Sequence, residues 1–386
     1  MALDQETLNQ LLETVRRYVD ERLIPLEEEV ARNDAIPDEV SAEMRELGLY
    51  GLSIPEEYGG LGLTLEEECL TMFELGRTSP VFRSLIGTNV GIGSQGIVID
   101  GTEEQKQRYL PELASGELVG SFCLTEPDAG SDAVSVRTSA KRDGNGYVLN
   151  GTKRFITNSI KAGVLTVMAR TDPDNKGSGG VSSFLVDAKS DGITVGPPYQ
   201  KMGQQGSHVA DIFFEDVKVP ADAIIGGVEG QGFKTAMKVL ERGRVHLSSV
   251  CVGLSERLIL EAVSYASERK QFGEPIAGFQ LIQAMLADSR TESYAARCMT
   301  LDAARKYDAG EKVPMEAACC KYYASEMVGR VADRAVQIHG GAGYVSDYPV
   351  ERFYRDVRLF RIYEGTSQIQ QLVIAKNMLR QYAATQ

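Results

Sequence analysis

The stretch FCLTEPDAGSDA, residues 122–133, marks the place where the sequence changes from a helical pattern to a β pattern. Upstream of it, apolar side chains recur at helical spacing, as they do between Leu8 and Leu23 with charged residues among them. Downstream of it, short β-rich runs alternate with turn residues as far as VKVPADAIIG. Helical spacing returns at Gly230 and continues toward the end of the chain. The order helix, strand, helix predicts a mainly α protein with a central β domain.

The length of the chain, 386 residues of which 43% are hydrophobic, predicts more than one domain. We expect an N-terminal helical domain over residues 1–120, a middle β domain over 121–228 and a C-terminal helical bundle over 229–386. In the last of these, small residues punctuate the helical pattern, which favours close antiparallel packing of long helices.

Two local signals give sharper expectations. The Asn150-Gly151 pair, inside GNGYVLNGTKRFITN, is typical of a two-residue hairpin turn. Pro111 is expected to break the short polar helix of GTEEQKQRYLPELASGE, and Gly116 is expected to end it. These signals predict element boundaries on either side of residues 122–133.

The composition argues against several classes of function. A net charge of −13 and a pI of about 5.0 argue against a nucleic-acid-binding protein. No apolar run reaches the ~18 residues of a membrane span, and the acidic N-terminus lacks the apolar segment of a signal peptide, so we expect a cytoplasmic protein. The three His are scattered, so no His-based metal site is expected. The six Cys form no CxxC pair and are predicted to be buried, reduced thiols.

RIYEGTSQIQ, residues 361–370, holds a lone carboxylate, Glu364, just before an amphipathic run. Thr366 or Ser367 can cap the helix that follows, and Gly365 allows the backbone to turn. An acid at this position is stabilised by the exposed N–H groups and the dipole of the helix. Local physics therefore favours a charge that helps the helix begin, and it leaves a chemical role for Glu364 open.

Two further stretches each allow two interpretations. QIHGGAGYVSDYPVERFYRD, residues 337–356, places Gly340, Gly341 and Gly343 at the end of a predicted helix. One glycine is enough for a helix C-cap, so three in four residues favour the close approach of a ligand to the backbone. The stretch 122–133 is either an ordinary Pro-Asp-Ala-Gly turn or a loop that offers N–H groups and hydroxyls to a polar ligand.

Three segments resemble the signatures of the acyl-CoA dehydrogenases and occur in the same order: LTEPDAGSD, QIHGGAGYVSDYPVERFYRD and YEGTSQIQ. The resemblance covers essentially the whole chain. ERKQFG at 268–273 and the GTKRFITN segment are also similar to family segments. The resemblance implies a barrel-like middle domain, a C-terminal four-helix bundle, and FAD bound tightly between them. It also implies a homotetramer in which a neighbouring subunit completes the flavin site, electron transfer to an electron-transfer flavoprotein, and a place in β-oxidation of fatty acids.

The resemblance also assigns residues. It implies cofactor binding by Phe122, Leu124, Thr125, Gly130, Ser131, Phe155, Ile156, Thr157, Arg269, Phe272, Gln280, Gln337, Gly340, Gly341, Thr366 and Gln368. Among these, Arg269, Phe272 and Gln280 would face the FAD of a partner subunit. It implies binding of the acyl-CoA substrate by Ser131, Arg244, Gly365 and Arg83. Glu364 matches the catalytic base, which removes the α-proton of the thioester while flavin N5 takes the β-hydride, giving the trans-2-enoyl-CoA.

This chemistry needs a base because the α-proton of a thioester is only weakly acidic. It also needs hydrogen bonds to the carbonyl oxygen, where enolate charge develops; in the family these come from a flavin ribityl hydroxyl and the N–H of the base. In an apolar cleft the pKa of Glu364 is expected to rise toward the working range. Some relatives carry the base just before the Arg of the LERGR segment, but that residue is Gly243 here, so Glu364 is expected to be the only base.

Arg83, in SPVFRSLIGTNV, has two interpretations. Relatives that act on acid-tipped acyl groups such as glutaryl-CoA have an Arg in a similar YRS setting, which favours a contact with a terminal carboxylate. The alternative is a structural Arg paired with an acid. His246, His339 and Glu126 are expected to pack, to bond or to brace loops rather than to react.

Three functions compete at this point. The leading hypothesis is an FAD-dependent acyl-CoA dehydrogenase. The second is a non-oxidative lyase on the same scaffold, such as a sulfinopropionyl-CoA desulfinase, which needs flavin without net oxidation. The third is a flavin-binding protein without turnover. The retention of Glu364 and the intact motifs favour the first.

Overall fold

The computed structural model describes residues 2–385 and has helical regions at both ends of the chain around one central sheet. The N-terminal helices are α1 (Gln5–Tyr18), α2 (Ile24–Asn33), α3 (Asp38–Glu46), α4 (Leu65–Leu75), α5 (Pro80–Val90), α6 (Gln95–Asp100) and α7 (Glu103–Ser115). A π-helical turn, Val19–Leu23, joins α1 to α2. The predicted mainly α class with a central β domain is confirmed.

Helix α7 corrects one expectation and confirms another. The prediction that Pro111 breaks the helix was wrong, because α7 continues through it. Pro111 removes one backbone hydrogen bond, but its neighbours Leu110 and Leu113 are fully buried in an apolar cluster and hold the helix on both sides. Gly116 ends the helix as predicted, in a left-handed conformation with φ of 75°.

One sheet forms the middle of the molecule. Its strands are β1 (Gly120–Cys123), β2 (Ser139–Asp143), β3 (Gly146–Thr157), β4 (Val164–Arg170), β5 (Val181–Asp187), β6 (Ile193–Val195) and β7 (Val209–Pro220). They follow the order β1-β4-β2-β3-β7-β6, with β5 also paired to β4. Strands β1 and β2 run parallel to β4, and the other pairs are antiparallel.

The predicted hairpin turn at Asn150-Gly151 was wrong. Strand β3 runs through that pair, which lies at a bulge in the pairing of β3 with β7. Asn150 is held there by two hydrogen bonds to Asp216 on β7, at 2.9 and 3.0 Å. The true turn joins β2 to β3 at Gly144, whose φ of 55° favours glycine.

The C-terminal region contains α8 (Gly232–Glu268), α9 (Gln280–Asp308), α10 (Pro314–His339), α11 (Pro349–Val357) and α12 (Ser367–Ala384). Helix α10 packs against α8, α9 and α12, which confirms the expected four-helix bundle. Between α8 and α9 a small hairpin of β8 (Lys270–Gln271) and β9 (Glu274–Pro275) projects from the surface.

The apolar core joins these regions. Its largest cluster combines the N-terminal helices with the bundle and includes Phe82, Leu254 and Met327. A second cluster fills the sheet, and a smaller one packs Leu124 of the 122–133 stretch against Leu240 of α8. The sheet therefore meets the bundle along α8. Among the described residues, no helix combines the length and the apolar character needed to cross a membrane.

The cysteines are all unbridged, as expected. The expectation that all of them are buried was wrong at Cys298, which is exposed on α9, and Cys319 is only half-buried. A helix in a bundle has an outward face, and the spacing of small residues alone does not say which face that is.

Candidate active site

A cavity of about 960 Å³ lies where the sheet, α5, α8 and the segment before α12 meet. Most of the predicted site residues line it: Phe122, Leu124, Thr125, Gly130, Ser131, Phe155, Ile156, Thr157, Thr366, Arg83, Arg244, Glu364 and Gly365. The fold thus gathers segments that are far apart in the sequence onto one wall.

The other predicted cofactor residues lie outside this wall and are exposed: Arg269, Phe272, Gln280, Gln337, Gly340, Gly341 and Gln368. Phe272 is the clearest case, because its side chain is 94% exposed at the tip of the β8–β9 hairpin. Its φ of 52° is uncommon for a residue with a side chain. A single copy of the chain does not bring these residues to the cavity.

The 122–133 stretch is braced from below by Glu126. This carboxylate accepts hydrogen bonds from the N–H groups of Arg137 and Thr138 at 2.6 and 2.9 Å. It also pairs with Lys153, which is fully buried, at 2.8 Å. Burial raises the pKa of Glu126, but the Lys153 ammonium and the hydrogen bonds lower it overall. The bracing role expected for Glu126 is confirmed.

The braced loop offers polar groups to the cavity. The backbone N–H groups of Thr125, Gly130 and Ser131 donate no hydrogen bond to any described residue. Within the same range, the hydroxyls of Thr125, Ser131 and Thr157 also have no partner. Phe122, Phe155 and Ile156 add apolar surface. This set of donors around an apolar wall fits a flat heteroaromatic ring with a polar edge.

Glu364 lies in the same cavity, just before α12, with a left-handed φ of 55°. Its Oε2 atom is buried and has no hydrogen-bond partner among residues 2–385. The helix cap is Thr366, whose hydroxyl accepts from the Ile369 N–H at 3.2 Å, so the acid is not needed to begin α12. The local interpretation of Glu364 as a helix-starting charge therefore gives way to an unpaired carboxylate in a cavity.

The electrostatics of Glu364 combine two opposing effects. Burial raises the pKa of Glu364, and the cations of Arg83, Lys321 and Arg244 act in the other direction without cancelling it. Arg244 is also buried, with an Nε atom that has no partner in the described part of the chain. Its pKa is lowered by burial. A raised pKa makes a carboxylate a stronger base for removing a proton from a substrate.

Arg83 is buried on α5 and is held by a chain of buried groups. Its Nε donates to His246 Nε2 at 2.9 Å, and His246 Nδ1 lies 2.5 Å from Glu68 Oε1. Glu68 is paired in turn with Arg242. Burial lowers the pKa of His246 to about 4, so the ring is neutral: Nδ1–H donates to Glu68, and Nε2 accepts from Arg83.

The terminal nitrogens of Arg83 remain free. They make no hydrogen bond or ion pair with any described residue, and the side chain lines the cavity. A Cβ built on Gly87 would lie 3.0 Å from Arg83 Cζ, so the glycine one turn further on leaves room for the guanidinium. The group that bonds Arg83 is His246, and among the described residues no acid forms an ion pair with it, although the charge of Glu364 lies near enough to interact with it.

Several side chains that line or brace the cavity were not predicted. They are His246, expected only to pack, together with Tyr199, Lys321 and Gln370. Lys321 had a detectable signal, because it stands among small and apolar residues in PMEAACCKYYAS, where a cation is out of place. The other expectation for a histidine holds: His339 is buried, bonds the Ala335 carbonyl at 2.8 Å and stacks on Tyr265.

Comparison with known proteins identifies the family. Models of the acyl-CoA dehydrogenase N-terminal, middle and C-terminal domains match residues 5–117, 121–217 and 230–379. The chain therefore belongs to the acyl-CoA dehydrogenase family, an oxidoreductase family that acts on CH–CH donors.

Individual relatives support the family assignment. An acryloyl-CoA reductase (NADH) of Anaerotignum propionicum is 43% identical over 98% of this chain and 95% of its own. The structure of butyryl-CoA dehydrogenase from Megasphaera elsdenii has a TM-score of 0.94 and 35% identity, covering 98% of this chain and 99% of that one. A chain solved in work on the electron transferring flavoprotein of Acidaminococcus fermentans and electron bifurcation has a TM-score of 0.94 and 37% identity, with the same coverage.

Proteins of this family depend on FAD. The unpaired N–H groups and hydroxyls of the 125–157 wall, with Phe122, Phe155 and Ile156 beside them, fit its ring system as described above. No group of three or more His, Cys, Asp or Glu within residues 2–385 is arranged to hold a metal ion.

Proposed function

We propose that this protein catalyses the FAD-dependent α,β-dehydrogenation of an acyl-CoA thioester to the trans-2-enoyl-CoA, with Glu364 as the base. The observation that carries the proposal is the buried Oε2 of Glu364, which has no partner among residues 2–385 and lies in a cavity whose other wall fits a flavin. A buried carboxylate oxygen without a hydrogen bond is energetically unfavourable unless a bound ligand supplies its partner. In this proposal the ligand is an acyl-CoA thioester, whose α-proton lies beside the carboxylate.

The backbone of Glu364 supports the same chemistry. Its N–H donates no hydrogen bond to any residue in the described range. A free N–H beside the base is suited to the thioester carbonyl oxygen, where negative charge develops as the α-proton leaves. When bound, FAD supplies the two-electron acceptor for the β-hydrogen and, through its ribityl chain, a second donor for that oxygen. Ser131, Gly365 and Arg244 complete the proposed contacts of the thioester and the CoA arm.

The acyl tip is proposed to carry a carboxylate that meets Arg83. The two terminal nitrogens of Arg83 lie at the cavity and have no partner in the described part of the chain. The guanidinium is a planar fork, which suits a bidentate contact with a carboxylate. His246 holds the third nitrogen and so fixes the direction of the fork. A plain hydrocarbon tip would leave this buried guanidinium unpaired, which is unfavourable.

The reverse reaction is a second candidate. The relative from Anaerotignum propionicum is named as a reductase of acryloyl-CoA, and the same groups serve a reduction when the steps run backwards. Glu364 would then begin protonated and return the proton to the α-carbon. The raised pKa of Glu364 supports this direction as well, because it favours the protonated form more than an ordinary carboxyl does.

A homotetramer and an electron-transfer flavoprotein are the proposed partners. The exposed set with Phe272, Arg269 and Gln280 lies outside the cavity, which supports its use on the FAD of a neighbouring copy. One similar chain was solved in work on the electron transferring flavoprotein of Acidaminococcus fermentans, which supports the second partner.

The test is anaerobic mixing of the yellow protein with a panel of acyl-CoA and enoyl-CoA thioesters, with absorbance followed in the visible range. A dehydrogenase is expected to lose its yellow colour with a saturated thioester. A reductase is expected to recover it, after chemical reduction, with the enoyl thioester. A lyase would consume its substrate and end oxidised, and a protein without turnover would change with neither class. Either of the last two results would remove the proposed function.

A further inference from the structure

Lys321 is a buried lysine that the proposed chemistry does not use. Its side chain is completely inaccessible on α10, and its Nζ donates to the Gly365 carbonyl at 2.7 Å. Within residues 2–385 it has no carboxylate within salt-bridge distance. Lysine is almost never fully buried unless it is paired, so this position needs a reason other than packing.

Gln370, on α12, meets the same turn from the other side. Its side-chain amide nitrogen donates to the Gly365 carbonyl at 3.0 Å and to the Glu364 carbonyl at 3.2 Å. The Gly365 carbonyl is therefore held by donors from two different helices, Lys321 of α10 and Gln370 of α12, and the Glu364 carbonyl is held by Gln370. A Cβ built on Gly365 would lie 2.5 Å from that nitrogen, so the contact also requires glycine.

The turn needs such support. Glu364 and Gly365 have φ values of 55° and 90°, and a left-handed conformation is disfavoured for a residue with a side chain such as Glu364. It persists only where the surroundings over-determine it, and here the carbonyl contacts supply that constraint. With the two carbonyls turned toward Lys321 and Gln370, the carboxylate of Glu364 lies in the cavity and its N–H has no partner among residues 2–385.

We propose that Lys321 is a positioning residue for the base: its ammonium, together with the Gln370 amide, fixes the Glu364–Gly365 turn so that the carboxylate and N–H of Glu364 stay in the cavity. The inference rests on the proposed function of Glu364. It adds a second effect, because a fixed positive charge beside the turn favours the ionised form of the base.

The charges around the two groups define how the effect depends on pH. Lys321 faces Cys251 and Arg244 of α8, Glu326 of its own helix, and Glu364. Glu364 also faces Arg83 of α5. Burial lowers the pKa of Lys321 to about 8, so its charge is present at neutral pH and is lost as the pH rises through that value. Its influence on Glu364 is therefore expected below about pH 8 and fades above it.

The experiment follows exchange of the α-protons of a 3-thia-acyl-CoA with deuterated water by mass spectrometry, over a pH series, with the holoenzyme. Sulfur at the β-position blocks oxidation, so the exchange reports the base alone. Lys321→Met is expected to slow exchange by about 10- to 100-fold, as a small displacement of a reacting group does. It is also expected to move the acid limb of the profile to higher pH, because the charge that favoured the carboxylate is gone.

Two further variants separate the hydrogen bond from the charge. Lys321→Gln keeps a hydrogen-bond donor and loses the charge. It is therefore expected to shift the acid limb as far as Lys321→Met does but to slow exchange less than Lys321→Met does. Gln370→Leu removes a donor without changing charge, so it is expected to slow exchange and leave the limb where it was. Ala332→Gly, on the same helix, is the control for general loosening; it is expected to lower the thermal unfolding midpoint and leave the exchange profile unchanged.

The outcomes distinguish this inference from the proposed function. If Glu364→Gln exchanges at the parental rate, the base lies elsewhere and the proposed function fails. The alternative outcome is that Glu364→Gln stops exchange while Lys321→Met and Lys321→Gln keep the parental exchange rate and the parental acid limb of the pH profile. In that case Lys321 is only structural, and this inference is overturned while the proposed function stands. Should Lys321→Met not fold, Lys321→Gln and Gln370→Leu decide the question by the same measurements.

Discussion

Gly243 of α8 lies directly against the carboxylate of Glu364: a Cβ built on Gly243 would be 2.9 Å from Glu364 Oε2. The two positions therefore share one space, and a side chain on α8 would compete with the acid that comes from the segment before α12. A carboxylate carried by α8 at this position would reach the same part of the cavity as Glu364.

Gly243→Ala is expected to lower the rate of flavin reduction by about tenfold or more, because the methyl group pushes the carboxylate from its place. Stability and FAD content are expected to change little, since the displaced atom is the end of a flexible side chain. Stopped-flow reduction and thermal unfolding measure the two effects. Gly96→Ala on α6 is the matched control, because its added Cβ would make only ordinary contacts, the nearest at 3.5 Å.

Arg83→Met tests the acyl tip. A hydrogen bond to a charged group contributes roughly 1.5–3 kcal/mol, so kcat/KM for an acid-tipped substrate such as glutaryl-CoA is expected to fall by about 10- to 100-fold. The value for butyryl-CoA or hexanoyl-CoA is expected to stay the same or to rise, because no cation is left unpaired. Parallel kinetics on both substrate types measure this, with Arg290→Met at the surface as the control. Equal losses on both types would mean that Arg83 is structural.

His246 is expected to make stability sensitive to acid. Its folded-state pKa is depressed from 6.5 to about 4, so the unfolded chain binds a proton over that range and the folded chain does not. The thermal unfolding midpoint is therefore expected to fall as the pH is lowered from 6.5 toward 4. In His246→Gln, an amide can donate to Glu68 and accept from Arg83, so this part of the pH dependence is expected to disappear. An unchanged pH dependence would count against a neutral His246.

Because the β8–β9 hairpin is exposed and lies outside the cavity, we expect FAD retention to depend on association between copies of the chain. Phe272→Asp is expected to weaken association between copies, and dilution of that variant to monomers is expected to release FAD. Light scattering and the absorbance ratio of flavin to protein measure both. Val228→Asp is the control, an exposed apolar position in the connection before α8. A monomer with full FAD occupancy would contradict the proposed role of Arg269, Phe272 and Gln280.

Much of the fold could be predicted because the signals for helices, strands and helix caps lie within short stretches of sequence. The helical spacing predicted the long helices of the C-terminal region, Gly116 predicted the end of α7, and Thr366 or Ser367 was predicted to begin α12, where Thr366 is the cap. Reliance on a local signal also explains the error at Asn150-Gly151. Asn150-Gly151 has turn chemistry, but the bonds of Asn150 to Asp216, 66 residues away, make it part of a strand.

The site was predictable only where its residues fall in the recognised stretches. The partner of Arg83 is His246, 163 residues further on, and no local pattern connects them. Lys321 and Gly365 are 44 residues apart and belong to different helices and turns. Contacts of this kind arise from packing of the bundle, so the sequence indicated Glu364, Arg83 and Arg244 but not Lys321 and Gln370, which hold the turn.

Replacement of Glu364 by Gln tests the central claim most directly, because the change keeps the shape of the side chain and removes the base. FAD content and acyl-CoA binding are expected to stay at the parental level, measured by absorbance and by titration. Anaerobic stopped-flow reduction with the best substrate is expected to slow by at least the ~10²–10⁴-fold that a general base contributes. A Glu364→Gln protein that loses its yellow colour at nearly the parental rate would contradict the assignment of the base.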